Sequence, residues 1–214
     1  MNIMKSISHI IFDLDGTLSN SAIITYAAMQ RVAPRFGLHT PTMDEIRRAT
    51  GFANPEFYYI LYPSVDRKKI YEMGQEVELE EQTILCDVKN LLFDGCHELL
   101  ISLKDKGFTL YIASTGDPNH VFPILNETGI TDLFEKVYCG QPDKFEMLRK
   151  IIGDNDKSSY AMVGDMKKDS EAARVNGILS IGACYGYCRK ELGEFDMYVH
   201  SPQELFEFLT PAMS

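Results

Sequence analysis

The sequence predicts an α/β protein with a doubly wound, mostly parallel sheet and an inserted α-helical domain. Two observations predict this class. Short apolar runs that suit buried strands alternate with amphipathic helical stretches over most of the chain. One block, residues 19–90, shows helical periodicity and no convincing strand. We therefore expect a sheet domain formed by residues 1–18 and 91–214, with residues 19–90 inserted as a helical domain.

The strands are predicted from short apolar runs bounded by turn residues. The first run, Ile10-Ile11-Phe12, leads into Asp13 and breaks at Gly16-Thr17. Later runs at residues 109–113, 136–139, 160–163, 179–181 and 197–199 predict five further strands. Amphipathic stretches at residues 121–129, 144–152 and 169–176 predict helices between them, and a last helix begins near Ser201-Pro202.

The helical block is divided into short helices by glycine and proline residues, at Gly37, Pro41, Gly51, Pro55 and Pro63. Because the block follows the first strand directly, both of its connections are expected near the end of that strand. A parallel sheet of this kind places its ligand site there. The helical block is therefore positioned to close over such a site.

Composition and charge exclude several classes of partner. The 214 residues carry a formal net charge of -10, which repels nucleic acid and anionic membrane surfaces. From these residues we expect no targeting signal, and no run of apolar residues in them is long enough to span a membrane. Five irregularly spaced cysteines favour reduced thiols in the cytoplasm. A zinc site at Cys184 and Cys188 is disfavoured because no second ligand pair lies nearby.

The strongest chemical signal is a pair of acids at the end of the first predicted strand. Asp13 and Asp15 are two residues apart, so in extended backbone their side chains share one face. Two carboxylates this close are costly unless a cation joins them. On this motif alone, an acidic surface turn is an equally good interpretation.

A second acidic motif follows the strand predicted at residues 160–163. Asp165 stands at the strand end, and Asp169 lies near the start of a helix, where it is also a candidate cap. Acids from two strand ends at one edge of a sheet would form an oxygen-rich pocket. Such a pocket suits Mg²⁺ better than zinc.

Two weaker signals concern phosphate binding. Ser114, Thr115 and Gly116 follow the strand at residues 109–113, where hydroxyls and backbone N–H groups can cradle a phosphate. A simple Ser/Thr turn is the commoner explanation of such a sequence. Lys144 lies at the start of a helix, where the helix dipole disfavours a cation, although a lone Lys usually only solvates a surface.

Taken in order, these four motifs resemble those of the haloacid dehalogenase superfamily, which carries D-x-D-G-T, a strand-end Ser or Thr, a Lys and G-D-x-x-x-D. The resemblance covers nearly the whole chain, and the helical block stands where the family has its helical cap. The stretch at residues 162–186 is similar to the phosphoglycolate-phosphatase-like branch. Asn20 departs from the pattern, because relatives often carry an acid there.

The resemblance implies a role for each matching residue. Asp13 is the expected nucleophile and Asp15 the general acid and base. Mg²⁺ is expected on the Asp13 carboxylate, the Asp15 backbone carbonyl and the Asp165 carboxylate. The remaining matches have supporting roles. Ser114 or Thr115, together with Lys144, would bind the phosphoryl oxygens, and Asp169 would orient the metal ligands or Lys144.

The resemblance implies a magnesium-dependent phosphatase acting on a small phosphorylated metabolite such as phosphoglycolate, as a monomer or weak homodimer. A sugar phosphomutase, a phosphonate-cleaving relative and a non-enzymatic binding module remain alternatives. Substrate choice is expected in the loop that carries Gly51, Phe52 and Asn54. Arg47 or Arg48 could bind a substrate carboxylate, but a solvated helix face explains both arginines better.

Overall fold

A computed structural model describes residues 7–187 and 194–211. Cys188, part of the disfavoured zinc pair, lies outside these residues. The described residues form one six-stranded sheet in which every neighbouring pair is parallel, in the order β3-β2-β1-β4-β5-β6. The strands are β1 (His9–Phe12), β2 (Thr109–Ala113), β3 (Lys136–Tyr138), β4 (Tyr160–Gly164), β5 (Leu179–Ala183) and β6 (Met197–Val199). The predicted strands agree with these bounds to within two residues.

Helices cover the sheet and fill the segment after β1. They are α1 (Ala22–Val32), α2 (Met43–Ala49), α3 (Glu56–Leu61), α4 (Arg67–Leu85), α5 (Cys96–Asp105), α6 (Pro118–Glu127), α7 (Phe145–Ile152), α8 (Lys167–Asn176) and α9 (Pro202–Leu209). None of these helices is both long enough and apolar enough to cross a membrane.

Side chains of β1 show why the sheet needs helices on both faces. Ile10 and Phe12 belong to one buried cluster, and Ile11 belongs to a second, because successive side chains of a strand point to opposite faces. The second cluster is completed by α7 and α8, and the first by α5, α6 and α9. A parallel sheet buried on both faces explains the nearly continuous apolar runs in the sequence. The predicted fold class is confirmed.

The helical segment, residues 19–90, contains α1 to α4 and no named strand. Its two connections to the sheet run side by side: Asn20 N–H donates to the Leu91 carbonyl, and Phe93 N–H donates to the Leu18 carbonyl, both at 2.9 Å. The segment therefore leaves and rejoins the chain just beyond β1. The division into domains at residues 18 and 91 stays a prediction.

Candidate active site

Functional side chains converge at the centre of the sheet because β1 pairs with both β2 and β4. Asp13 directly follows β1, Ser114 follows β2, and Asp165 follows β4. The chain adds β2 and β3 on one side of β1 and the later strands on the other. The crevice beyond the carboxyl ends of the strands at such a switch point is the usual ligand site of open α/β sheets.

Lys144 joins two of the acids. Its Nζ lies 2.7 Å from Asp13 Oδ1 and 2.5 Å from Asp169 Oδ1, and each of these side chains is 4% exposed or less. Asp169 Oδ2 accepts a hydrogen bond of 2.9 Å from Met166 N–H, at the first turn of α8. Asp169 therefore caps its helix and holds the Lys144 ammonium at the same time.

The acids also form a group that fits a divalent cation. Asp13, Asp165 and Asp169 each offer one carboxylate oxygen, and these atoms lie within 4.8 Å of one another. Asp165 Oδ1 accepts a hydrogen bond of 3.0 Å from the Thr17 hydroxyl, whereas its buried Oδ2 has no hydrogen-bond partner among the described residues. A buried carboxylate oxygen without a partner is costly. Oxygen ligands of this kind are the ones that Mg²⁺ prefers, so the predicted ion fits the residues present.

The raised pKa values of Asp13 and Asp165 indicate that the single ammonium of Lys144 does not balance the charge of the buried acids. Burial raises the pKa of Asp13 to about 7; Lys144 opposes this rise and the charge of Asp169 adds to it. Burial, followed by the charges of Asp13 and Asp169, raises the pKa of Asp165 well above its ordinary value. A divalent cation at this position would favour the ionised carboxylates.

The turn after β1 depends on Gly16. Its φ of +82° lies in the left-handed region, and a Cβ there would lie 2.6 Å from Asp165 Oδ2. It would also lie 2.5 Å from Tyr187 Cδ2. The glycine thus allows the backbone carrying Asp13 and Asp15 to approach Asp165 closely.

The two hydroxyl residues after β2 differ in their contacts. Ser114 Oγ accepts a hydrogen bond of 3.0 Å from Gly116 N–H, which leaves the hydroxyl proton available to donate. Thr115 Oγ1 instead donates to the Gly51 carbonyl at 2.9 Å. Thr115 therefore tethers a loop of the helical segment, while Ser114 keeps a donor that can serve a ligand.

The Asp15 side chain contacts α6. Its Oδ1 lies 2.9 Å from His120 Nε2, and His120 Nδ1 lies 3.6 Å from Glu81 Oε2 in the helical segment. Burial disfavours the charged form of Asp15, but His120, Ser21 and Lys144 together outweigh burial and lower the pKa of Asp15. Burial likewise opposes protonation of His120, yet Asp15 and Glu81 raise its pKa well above the ordinary value.

The sequence interpretation did not include His120, Glu81 or Thr17. No local pattern marks His120, because a histidine with an ordinary pKa is mostly uncharged at neutral pH. None marks Glu81 either, which lies among several acids on α4. Thr17 belongs to the first motif but was interpreted only as a turn residue.

The loop expected to govern specificity lies above the strand ends. Gly51 has a φ of +95° and its carbonyl also accepts from Lys168 Nζ at 3.4 Å. Lys168 Nζ lies 3.9 Å from the centroid of the Phe52 ring, a cation–π contact. The exposed Asn54 donates to Glu78 Oε1 at 3.0 Å. The structure thus brings Gly51 and Phe52 to the sheet edge and directs Asn54 toward α4.

The two arginines before this loop differ. Arg48 is exposed and its Nε donates to the Asp44 carbonyl, as a solvated helix face requires. Arg47 is half-buried, with its guanidinium carbon 5.5 Å from the centroid of the Tyr187 ring. Its Nε is buried without a hydrogen-bond partner among the described residues. The expectation of a solvated face therefore fits Arg48 but not Arg47, which packs between the helical segment and the sheet.

A cavity lies between the helical segment and the sheet, beside Asp15. Phe52, Asn54, Glu78 and Glu81 line it from the helical segment, and His120 from α6. Thr115 also reaches it, whereas Asp13, Lys144 and Asp165 do not line it. The site therefore has a buried charged part at the strand ends and an open part under the helical segment.

Comparison with known proteins adds a family match. A family model described as haloacid dehalogenase-like hydrolase matches residues 10–183. Two bacterial relatives are similar over most of their length: the 5'-nucleotidase of Pseudomonas aeruginosa, 25% identical over 91% of this chain and 88% of that protein, and the phosphoglycolate phosphatase of Colwellia psychrerythraea, 28% identical over 92% of each.

Solved structures show the same fold. A haloacid dehalogenase-like family protein of Streptococcus pneumoniae superposes with a TM-score of 0.82, at 24% identity, over 96% of this chain and 100% of that one. At this identity the likeness carries the fold alone.

Proposed function

The chain belongs to the haloacid dehalogenase-like hydrolase family, and on that premise we propose that it is a phosphatase that hydrolyses a small phosphomonoester through an aspartyl-phosphate. The observation that carries the proposal is the pairing of Asp13 with Lys144 beside a second acid, Asp15, at the switch point of the sheet. The two bacterial relatives named above are a 5'-nucleotidase and a phosphoglycolate phosphatase, which supports phosphomonoester chemistry.

In the first step, a carboxylate oxygen of Asp13 attacks the phosphorus atom and the bond from phosphorus to the leaving oxygen breaks. The described hydrogen bonds of the Asp13 side chain fall on Oδ1, from Leu14 N–H at 2.8 Å and Lys144 at 2.7 Å, so Oδ2 is the oxygen proposed to attack. Asp15 passes to the leaving alkoxide the proton that the hydrogen-bonded Asp15–His120 pair shares. Lys144 and Ser114 bind the transferring phosphoryl oxygens.

In the second step, Asp15 takes a proton from a water molecule, whose oxygen attacks the phosphorus atom. The bond from phosphorus to Asp13 breaks, and inorganic phosphate leaves with the carboxylate restored. Asp169 acts through Lys144, which it holds beside Asp13. Asp13, Asp165 and the Asp15 backbone carbonyl would hold Mg²⁺, which supplies positive charge between two anions when bound.

The test is release of inorganic phosphate from a panel of phosphomonoesters, with Mg²⁺ or with chelator. We expect Mg²⁺-dependent turnover that Asp13→Asn reduces by at least about 10³-fold, because the nucleophile is lost. Asp132→Asn is the matched control, since Asp132 is exposed and distant from the strand ends that carry the site. A folded protein that releases no phosphate from any panel member contradicts the proposal. A cytoplasmic location and a monomeric or weakly dimeric state stay predictions.

A further inference from the structure

The cavity beside Asp15 indicates what kind of alcohol the enzyme releases. This inference rests on the proposed function, in which Asp15 protonates the leaving oxygen, so the leaving group must extend from Asp15. The cavity lined by Asp15 and His120 opens there, beneath the helical segment. Its lining therefore contacts the part of the substrate that the reaction releases.

The charges of this lining are strongly one-sided. Four carboxylates line the cavity against a single imidazole, and no Lys or Arg is among the lining residues that the structure describes. The charged lining residues are Asp15, Glu78, Glu81, Asp117 and His120. Since His120 lies between Asp15 and Glu81, its charge is shared by those two acids. Glu78 and Asp117 have no cation of their own within the lining.

Neither Lys144 nor Lys168 lines this cavity. Lys144 is buried between Asp13 and Asp169, where the phosphoryl group reacts. Lys168 is held over the Phe52 ring and against the Gly51 carbonyl. Lys144 thus lies where a phosphate binds, whereas His120 is the one cationic group among the lining residues where the leaving group extends.

Glu78 is the acid best placed to meet a ligand. It projects from α4, is half-buried, and its Oε1 accepts one hydrogen bond from Asn54. Burial, with the charges of Asp117 and Glu81, raises the pKa of Glu78. Glu81, in contrast, is already engaged by the Thr25 hydroxyl and by His120. A cationic ligand group would relieve the mutual repulsion of these acids.

We propose that the substrate is the phosphomonoester of a small amino alcohol, whose ammonium group binds beside Glu78. A leaving group with a carboxylate, such as that of phosphoglycolate, would instead meet like charges in a partly dehydrated cavity. The relatives' names do not suggest this preference.

The test compares substrates of equal length that differ only in terminal charge. The two-carbon set is phosphoethanolamine, 2-hydroxyethyl phosphate and phosphoglycolate, and a four-carbon set has the same three end groups. In at least one set, we expect kcat/KM for the ammonium substrate to exceed that of the neutral one by about tenfold and that of the carboxylate by about 100-fold. A neutral or carboxylate substrate ranking first in both sets overturns the proposal.

A substitution at Glu78 tests whether the preference for ammonium substrates arises in the cavity. Glu78→Gln should lower the ratio of ammonium to carboxylate kcat/KM by about tenfold. Glu76→Gln is the matched control: Glu76 lies on the same helix but pairs with Arg35 outside the cavity, so the ratio should stay unchanged. If the ratio is unchanged in Glu78→Gln while circular dichroism shows a folded protein, the proposal that the ammonium group binds beside Glu78 is overturned.

Two further measurements separate this inference from the proposed function. An aryl phosphate without a charged tail tests the proposed chemistry alone. If the protein hydrolyses it with Mg²⁺ but does not prefer the ammonium substrates in either set, only the inference about the substrate is contradicted. Calorimetric binding of the same substrates to Asp13→Asn tests the preference without turnover. Tighter binding of the ammonium substrate by about tenfold is expected, and equal or tighter binding of the carboxylate contradicts it.

Discussion

The strand ends and the helical segment meet at one cavity, but they hold their side chains in different ways. At the strand ends, Asp13, Lys144 and Asp165 are almost completely buried, and charges or hydroxyls contact them from elements far apart in the chain. In the helical segment, Phe52 and Glu78 are half-exposed, with one or two polar contacts each. Groups that perform the chemistry need fixed positions and little water.

This difference has an energetic consequence. The pKa values of Asp13 and Asp165 are raised, so ionising these buried acids at neutral pH lowers the free energy of unfolding. The partly exposed loop that carries Phe52 contains no buried acid and has no such effect. Under the proposed function, the strand ends would combine reactivity with a loss of stability. Side chains of the helical segment can be exchanged with smaller effects, which suits a region that selects substrates.

Among the variants that compare these two regions, the largest effect is expected from Lys144→Met. We expect kcat/KM to fall by about 10³-fold, because the phosphoryl oxygens lose a cation. Without Mg²⁺ at pH 8, the free energy of unfolding should fall by about 3–5 kcal/mol, since Asp13 and Asp169 lose their shared partner. Lys150→Met, an exposed position on the same helix, is the control for both measurements. Full activity in Lys144→Met would contradict its place in the chemistry.

The second-largest difference is expected between variants of the two hydroxyl residues after β2. Ser114→Ala should lower kcat by about 100-fold, because a donor to the phosphoryl group is lost. Thr115→Val removes only the hydrogen bond to the Gly51 carbonyl, and about a fivefold change in KM is expected. Steady-state kinetics on one substrate check both. The reverse order would make Thr115 the main phosphate contact.

Metal and pH should affect stability through the strand ends. Because the pKa of Asp13 is raised from about 4 to about 7, the stability of the metal-free protein should fall as the pH rises through this range. The pKa of Asp165 is raised as well, and its effect has the same sign.

Saturating Mg²⁺ should therefore raise the melting temperature more at pH 8 than at pH 5, by roughly 2–4 °C for each kcal/mol by which the bound ion stabilises the folded state. Differential scanning fluorimetry with Mg²⁺ or chelator measures this. The same increment in Asp165→Asn as in the natural protein would show that the ion binds elsewhere.

The smallest effect is expected in the helical segment. Phe52→Leu removes the contact with Lys168, worth about 0.5–1 kcal/mol, and leaves the strand ends unchanged. We expect KM to change less than about fivefold while kcat on an aryl phosphate is kept. Phe122→Leu, a partly exposed position on α6, is the control. A loss of kcat near 100-fold in Phe52→Leu would contradict the view that the helical segment affects substrate binding and not the chemical step.

Much of this molecule follows from local sequence patterns. Apolar runs located all six strands, and the acids and hydroxyls after three of them identified the residues that the structure gathers at one edge. The helical segment was recognised because glycines and prolines interrupt a helical period without any strand pattern. The catalytic and metal-binding roles of these residues stay proposals.

Other features were out of reach of a local pattern. His120 contacts Asp15 across 105 positions of the chain, and Thr25 contacts Glu81 across 56. Neither pair has a spacing rule, because the first contact depends on how α6 packs beside the turn after β1, and the second on how α1 packs against α4. The partial burial of Arg47 against Tyr187 depends in the same way on the fit of the helical segment to the sheet.

The sequence by itself determined the element types, the parallel sheet and the residues at the strand ends, since backbone periodicity and turn chemistry act between near neighbours. The tertiary structure decided that β1 lies at the centre, that Asp15 turns toward His120, and that acids of the helical segment line the cavity. The physical reason is that strand order, burial and charge arise only when distant segments pack together, and these set the pKa values and contacts of the site.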